Sequence, residues 1–214
     1  YGSNFMSTSQ YEPKFQPIII NGVLYYTLYP TSITTPAGWV AVDLRTGQEI
    51  WTINTTVPLR TGQIYQYNSP NQYGGIPYLW AIKPTMAPNT GTTYGMYDAM
   101  TGNWILDIVN GTGVTFVEGD EGSLLGYYIN ATSMTLNLWN SSKCIIGPLN
   151  VSLPPGAYPP GWMWRPPQGG SIDWTRGIEW KKPIATNISG VPITPGLTIR
   201  KIASDVITMA SFGP

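Results

Sequence analysis

Histidine is absent from the 214-residue sequence, and cysteine occurs once, as Cys144. Without histidine the chain lacks the commonest general base, and neither a Ser-His-Asp triad nor a Cys-His pair can form within it. A single cysteine excludes an intrachain disulfide. The sequence also lacks a G-x-S-x-G motif and a P-loop. These absences favour a protein without catalysis of its own.

Charge is scarce as well: 10% of the residues are charged, and the formal net charge is zero. Nucleic-acid binding needs a basic face, so we expect no nucleic-acid partner. No apolar run reaches the ~18 residues of a transmembrane helix, so no membrane span is predicted. The opening residues YGSNFM show neither a charged nor an apolar signal region, so a signal peptide is either removed or lies upstream.

Hydrophobic residues are abundant, at 42% of the chain, together with 24 Gly, 20 Pro, 14 Tyr and 9 Trp. This composition argues against disorder and is typical of many short strands joined by tight turns. The sequence therefore predicts an all-β protein.

The clearest pattern is residues 41–51, AVDLRTGQEIW, which predict a hairpin. The Asp43 side chain can accept a backbone N–H two residues further on, and Gly47 can adopt the positive φ of a short turn. Residues 96–106, MYDAMTGNWIL, repeat the pattern. Asp98, Thr101 and Gly102 there match Asp43, Thr46 and Gly47.

Two degenerate copies follow. In residues 136–146, Ser141 and Ser142 stand where Thr46 and Gly47 stand in the first copy, and residues 172–180 carry Asp173. A repeat of roughly 40 to 50 residues made of strand-like units indicates propeller blades.

The motif A-x-D-x-x-T-G-x-x-x-W resembles the PQQ-like repeat of the quinoprotein β-propellers. The stretches GMYDAMTGNWILDI and GSIDWTRGIEW also resemble large propeller proteins of archaeal cell surfaces. The resemblance implies an all-β propeller of about four blades, or a partial propeller, without substantial helix. Fold alone does not imply function.

The predicted domain organisation follows from these repeats. It comprises an N-terminal arm (1–16), blades at 17–56, 78–110, 114–150 and 171–214, a loop insertion at 57–77, and a Pro/Trp-rich connector at 153–170. The third hairpin is expected between residues 135–139 and 143–146. Residues 202–211 are expected to pair outside their own blade, with residues 15–28 or with a neighbouring copy, because exposed strand edges seldom stay unpaired.

The sequence contains six N-x-S/T glycosylation sequons, whereas chance would give about two, and this excess indicates the compartment. They are Asn54, Asn110, Asn130, Asn140, Asn150 and Asn187. An Asn/Thr-rich chain could collect them by accident. Their density favours an exported glycoprotein, extracellular or at the cell surface, carrying N-linked glycans.

Three further groups are candidate sites, each with a structural alternative. Trp162, Trp164 and Arg165 could stack on a sugar or a partner, or could belong to a rigid connector. Tyr65, Tyr67 and Tyr73 could form an aromatic surface or pack a loop. Glu118, Asp120 and Glu121 could hold Ca²⁺, but they lack EF-hand spacing, and a solvated acidic turn is the alternative.

The predicted function is a structural or interaction module of a surface layer, filament or similar extracellular assembly. Its partners would be other copies of itself or other surface proteins. One alternative is a glycan- or ligand-binding propeller. Another is a fragment of a quinoprotein dehydrogenase, for which the resemblance implies PQQ, calcium, a carboxylate base and often a disulfide of adjacent cysteines. The single cysteine excludes that disulfide, and no calcium triad can be matched, so no cofactor is predicted.

Overall fold

The computed structural model of the chain describes residues 17–29, 35–69, 72–84, 91–145, 166–188, 190–192, 196–203 and 206–210. Within these ranges the protein is built almost entirely of β-strands, with one short α-helix, α1 (Ser141–Ile145). The all-β prediction is confirmed. No helix in these ranges has the length and apolar character needed to cross a bilayer.

The first sheet is an antiparallel meander in the order β1-β2-β3-β4. Its strands are β1 (Ile18–Ile20), β2 (Val23–Leu28), β3 (Gly38–Asp43) and β4 (Glu49–Asn54). Asn21 and Gly22 join β1 to β2 with the positive φ values of a two-residue hairpin turn, 51° and 78°.

The second sheet has the order β12-β8-β7-β6-β5. Its strands are β5 (Leu59–Ser69), β6 (Gln72–Lys83), β7 (Thr92–Asp98), β8 (Trp104–Gly111) and β12 (Ser171–Asp173). Strands β5 to β8 form an antiparallel meander, and β12 pairs in parallel with β8.

The expected loop insertion at residues 57–77 is wrong, because most of it forms β5 and the first half of β6. Its Asn, Gln and Gly residues are typical of loops, but its tyrosines and isoleucines favour strands. Tyr67 lies over Gly74 on the partner strand, where an added Cβ would sit 3.0 Å from the Tyr67 hydroxyl. Cross-strand packing therefore offsets the weak strand propensity of glycine.

The third sheet has the order β13-β11-β10-β9. Its strands are β9 (Thr115–Glu118), β10 (Leu124–Asn130), β11 (Thr135–Asn140) and β13 (Ile178–Pro183). The expected third hairpin is wrong, because the chain after β11 forms α1 instead of a return strand. The strand that pairs with β11 on the side away from β10 is β13.

The remaining strands form two local hairpins. They are β14 (Asn187–Ile188) with β15 (Val191–Pro192), and β16 (Thr198–Ile202) with β17 (Ile207–Ala210). The expected fourth blade, residues 171–214, is therefore not one sheet within the described ranges. The expected pairing of residues 202–211 with residues 15–28 is also not observed, because β17 pairs with β16.

The three large sheets have the same orientation. Gly62 of β5 lies against Ile18 and Ile20, which places β1 beside β5. Gly122, just before β10, packs against the Ile64 carbonyl. Trp51, at the start of β4, bonds to Ala99 in the turn after β7, and Gln63, level with the end of β7, bonds to Gly122 in the turn after β9. The turns after β1, β3, β7 and β9 therefore lie at one end of the molecule, the repeat-turn end, and the opposite end is called the far end.

The second sheet is buried on both faces. On β6, Leu79 and Ala81 pack in a cluster with Trp39 of the first sheet. Tyr78 and Trp80 alternate with them and pack in a second cluster that includes residues of the third sheet. All four β6 side chains are at most 2% exposed, as expected when successive side chains point to opposite covered faces.

Candidate functional site

The two repeat turns have the same hydrogen bonds. Asp43 Oδ1 accepts the backbone N–H groups of Arg45 at 2.7 Å and Thr46 at 3.1 Å. The corresponding distances from Asp98 Oδ1 to Met100 and Thr101 are also 2.7 and 3.1 Å. The aspartates therefore hold the turns, as the motif predicts.

The remaining motif positions are equivalent too. Thr46 Oγ1 accepts the N–H of the residue two positions on at 3.3 Å, as does Thr101 Oγ1. Gly47 and Gly102 have φ values of 71° and 74°. Backbone N–H donation from Arg45, and then from Thr46, lowers the pKa of Asp43, because these bonds stabilise the carboxylate.

Trp51 links the first repeat to the second. Its Nε1 donates to the Ala99 carbonyl at 3.2 Å, inside the second repeat turn. A Cβ added to Gly102 would lie 3.3 Å from both the Trp51 ring and Ile53 Cγ2. The motif tryptophan therefore covers the next turn, and the glycine leaves room for it.

In the third copy, the counterpart of the two aspartates is Asn140, two positions later than the sequence alignment places it. Asn140 ends β11, and its Oδ1 accepts the N–H groups of Ser142 at 2.8 Å and Lys143 at 3.4 Å. Ser141, expected to replace Thr46, is buried and accepts the Leu124 N–H at 2.9 Å. No glycine is present here to take the positive φ, and the chain continues as α1.

Asp173, in the fourth copy, does not close a hairpin. It accepts the Thr175 N–H at 2.9 Å and begins the 3₁₀ turn Trp174–Gly177. Its other oxygen accepts Asn110 Nδ2 at 2.6 Å. Hydrogen bonds from Thr175 and then Asn110 lower the pKa of Asp173. This copy connects the second and third sheets, since β12 belongs to one and β13 to the other.

A buried polar network at Gln63 also joins these two sheets. Gln63 Oε1 accepts Trp80 Nε1 at 2.9 Å, and its Nε2 donates to the Gly122 carbonyl at 2.8 Å. The same nitrogen donates to Ser141 Oγ at 3.1 Å. Gln63 is 3% exposed. The sequence does not reveal this residue, because its only signal is a glutamine within an uncharged strand.

A cavity of about 350 Å³ lies where the first strands of the three sheets, β1, β5 and β9, approach one another. Its wall combines apolar side chains, among them Ile18, Ile20 and Phe116, with polar ones, among them Gln63 and Glu118. Concave, largely apolar sites with a few polar groups are where small ligands bind in proteins.

On the face of the second sheet that carries Tyr97, Lys83 Nζ lies 2.5 Å from Asp107 Oδ1, which also accepts Trp104 Nε1 at 2.8 Å. Lys83 also lies 5.1 Å from the Trp104 ring centroid. Burial, and then the Asp107 charge, raises the pKa of Tyr97 to about 12. These groups pair with one another, which fits a structural role.

Most of the described sequons lie toward the far end. Asn54 ends β4, Asn110 is next to last in β8 and Asn130 ends β10, and these strands all run away from the repeat-turn end. Asn187 follows β13, which runs the same way. These four residues are exposed.

Asn140 is the exception. It lies at the repeat-turn end, is only partly exposed, and donates Nδ2 to Glu179 at 2.7 Å. Asn150 lies outside the described residues.

The structure describes the other predicted sites only in part. Trp162, Trp164 and Arg165 lie outside those ranges. Glu118 ends β9, and Asp120 and Glu121 belong to the 3₁₀ turn Asp120–Gly122. No three described His, Cys, Asp or Glu residues form a group that could hold a metal ion.

The three tyrosines of residues 57–77 have different surroundings. Tyr65 packs against the cluster between the second and third sheets. Tyr67 covers Gly74, and Tyr73 is 87% exposed. Only Tyr67 and Tyr73 line a common cavity, of about 620 Å³.

Comparisons with protein-family models, with curated proteins and with solved structures find no match to this chain.

Proposed function

We propose that this chain is a PQQ-like propeller module of an exported glycoprotein, similar to those of archaeal cell surfaces. It has a structural or interaction role in a surface layer, filament or similar extracellular assembly, and it does no catalysis. Its partners are other copies of itself or other surface proteins.

The propeller arrangement is supported by two successive four-stranded antiparallel meanders, β1–β4 and β5–β8, and by a third four-stranded sheet in which β13 lies beside the meander β9–β11. Their first strands, β1, β5 and β9, line one cavity, as the inner strands of neighbouring blades line a central channel. The bond from Trp51 to Ala99 adds a contact that one repeat makes with the next.

The observation that carries the glycoprotein role is the placement of the sequons. Asn54, Asn110 and Asn130 come from three different sheets, yet all lie toward the far end with exposed side chains. Sequons scattered by composition alone would divide evenly between the two ends, whereas only Asn140 of the five described sequons lies at the repeat-turn end. Glycans at one end would leave the repeat-turn end open to a partner.

Peptide mass spectrometry on native material tests this role. We expect sugar on a majority of the six sequons, including Asn54 and Asn130. Asn103 is a matched control, since it is exposed and lies outside any sequon. Unmodified asparagine at all six sequons would refute both the glycans and the export.

A second candidate, ligand binding, is favoured by the cavity between β1, β5 and β9. Its size is at the lower end of small-molecule sites, which span roughly 300–1,000 Å³. Calorimetry with a panel of oligosaccharides tests it. Saturable binding that Phe116→Ala abolishes, and that an exposed control change such as Val206→Ala leaves intact, would favour this candidate.

A further inference from the structure

A two-stranded β-ribbon extends from the repeat-turn end. Strands β5 and β6 pair from Leu59 with Ala81 as far as Ser69 with Gln72. Within the described chain, β6 pairs with β7 only from Tyr78 onward. Residues 64–69 and 72–77, here called the ribbon, therefore extend beyond the rest of the second sheet as two strands.

The ribbon lacks the charged side chains that commonly keep strand edges apart, although Pro77 stands at its base. Residues 61–82 contain no Lys, Arg, Asp or Glu. Proteins commonly protect open edges with charges, especially lysine, or with a covering segment. An isolated two-stranded hairpin is also only marginally stable in water. An uncharged ribbon with an open edge is thus suited to pairing with another strand.

Exposed apolar side chains are concentrated at the end of the molecule from which the ribbon extends. Five of the eight large hydrophobic side chains that are exposed in the described chain lie at this end: Leu44, Ile50, Tyr73, Met100 and Trp104. Tyr73, on the ribbon itself, is 87% exposed. A cavity of about 620 Å³ beside the ribbon has room for side chains from a second molecule.

We propose that the ribbon is the contact surface with a second copy of this chain, through antiparallel pairing of β6 at residues 72–76 with the same residues of that copy. This proposal rests on the proposed function, since it names the partner and surface of the assembly. Antiparallel pairing of a strand with itself is two-fold symmetric, as a closed dimer requires.

Charge favours a second copy as the occupant. The chain has a formal net charge of zero, so two copies do not repel each other at long range. Gly74 and Gly75 carry no side chain, and their neighbours Tyr67 and Ile64 lie on the ribbon faces, which leaves the backbone of this edge accessible. The far end, with four of the five described sequons, stays outside the contact.

Sedimentation equilibrium on the full chain tests the proposal with two variants. Tyr73→Lys places a like charge on each copy at the contact, and the fold tolerates it because the side chain is exposed. Val206→Lys is the matched control, at an exposed apolar residue between β16 and β17. We expect a dimer for the wild type and the control, and at least a tenfold higher Kd for Tyr73→Lys.

Hydrogen exchange on the unmodified chain provides a second measurement. Amides of residues 73–76 should exchange more slowly above the dimer Kd than below it, because pairing protects them. A wild-type monomer at all concentrations, a dimer unaffected by Tyr73→Lys, or exchange independent of concentration would each overturn the proposal. Glycan mapping at the far end is unaffected by these outcomes, so failure of the dimer is distinguishable from failure of the glycoprotein role.

Discussion

Gly47 and Gly102 allow a matched test of the contact between the first two repeats. Both have left-handed backbone conformations, with φ of 71° and 74°, in turns with the same hydrogen bonds. A Cβ at Gly47 would meet nothing within 4 Å, whereas one at Gly102 would lie 3.3 Å from Trp51 and Ile53. The two alanine substitutions therefore share the backbone strain and differ in the packing.

The expected magnitudes follow from these two terms. A non-glycine residue in the left-handed region costs roughly 1–2 kcal/mol, so Gly47→Ala should lower the free energy of unfolding by that amount. Gly102→Ala should cost about 1 kcal/mol more, because overpacking forces Trp51 or Ile53 to move. Urea unfolding followed by circular dichroism measures both values, with the slope m as a check on compactness.

A double-mutant cycle with Trp51→Leu identifies the source of the difference. Removing the indole should relieve much of the extra cost of Gly102→Ala and leave the cost of Gly47→Ala unchanged, because Trp51 contacts Gly102 and not Gly47. Equal costs for the two glycine substitutions, or no coupling between Gly102 and Trp51, would refute the proposed contact between the repeats.

Three further predictions concern a turn aspartate, the buried network and the absence of catalysis. Because the pKa of Asp43 is lowered in the folded state, its carboxylate should stabilise the protein above its ordinary pKa of 3.8, and this stabilisation should be lost as the pH falls through the folded pKa. The difference in urea midpoint between the wild type and Asp43→Asn should therefore shrink on acidification. A difference that stays constant with pH would contradict the prediction. Gln63→Ala should cost about 2–4 kcal/mol in urea unfolding, because it leaves Trp80 Nε1 and other buried groups without partners, whereas the exposed Gln66→Ala should be nearly neutral. Purified protein should show no quinone absorbance. The non-catalytic role would be refuted by a bound quinone, or by alcohol turnover that Asp98→Ala abolishes without changing the thermal stability.

The parts of the fold that could be predicted from sequence are those held by local contacts. Asp43 and Asp98 bond to groups two and three residues away, so the motif alone specifies their turns. In the third copy, the hydroxyl side chains of Ser141 and Ser142 resemble the motif threonine, so the sequence alone aligns them two positions away from their structural counterparts. The acceptor at the end of the strand, which defines the turn, can be Asp or Asn, and Asn140 supplies it.

The Gln63 network could not be predicted in the same way. Its partners Trp80, Gly122 and Ser141 are 17, 59 and 78 residues away in the chain. No local pattern encodes such distances, and a single sequence gives no other indication of them. The strand character of residues 57–77 was missed for a related reason, since Gly74 is stabilised by Tyr67 on the opposite strand.

The third repeat shows how a lost turn is offset elsewhere. Because the chain does not return directly after Asn140, β12 can pair with β8, and Trp174 can enter the space between the second and third sheets. Trp174 stacks on Trp139 at 4.1 Å and on Tyr94 at 5.3 Å, and its carbonyl accepts Trp139 Nε1 at 2.9 Å. Its own Nε1 is buried and has no acceptor among the described residues, at a cost of roughly 1–3 kcal/mol. Two aromatic pairs contribute about 0.5–1.5 kcal/mol each beyond the area that they bury, which is comparable to that cost. A tryptophan from a crossover segment thus joins the second and third sheets, where Trp51 from the repeat itself joins the first and second.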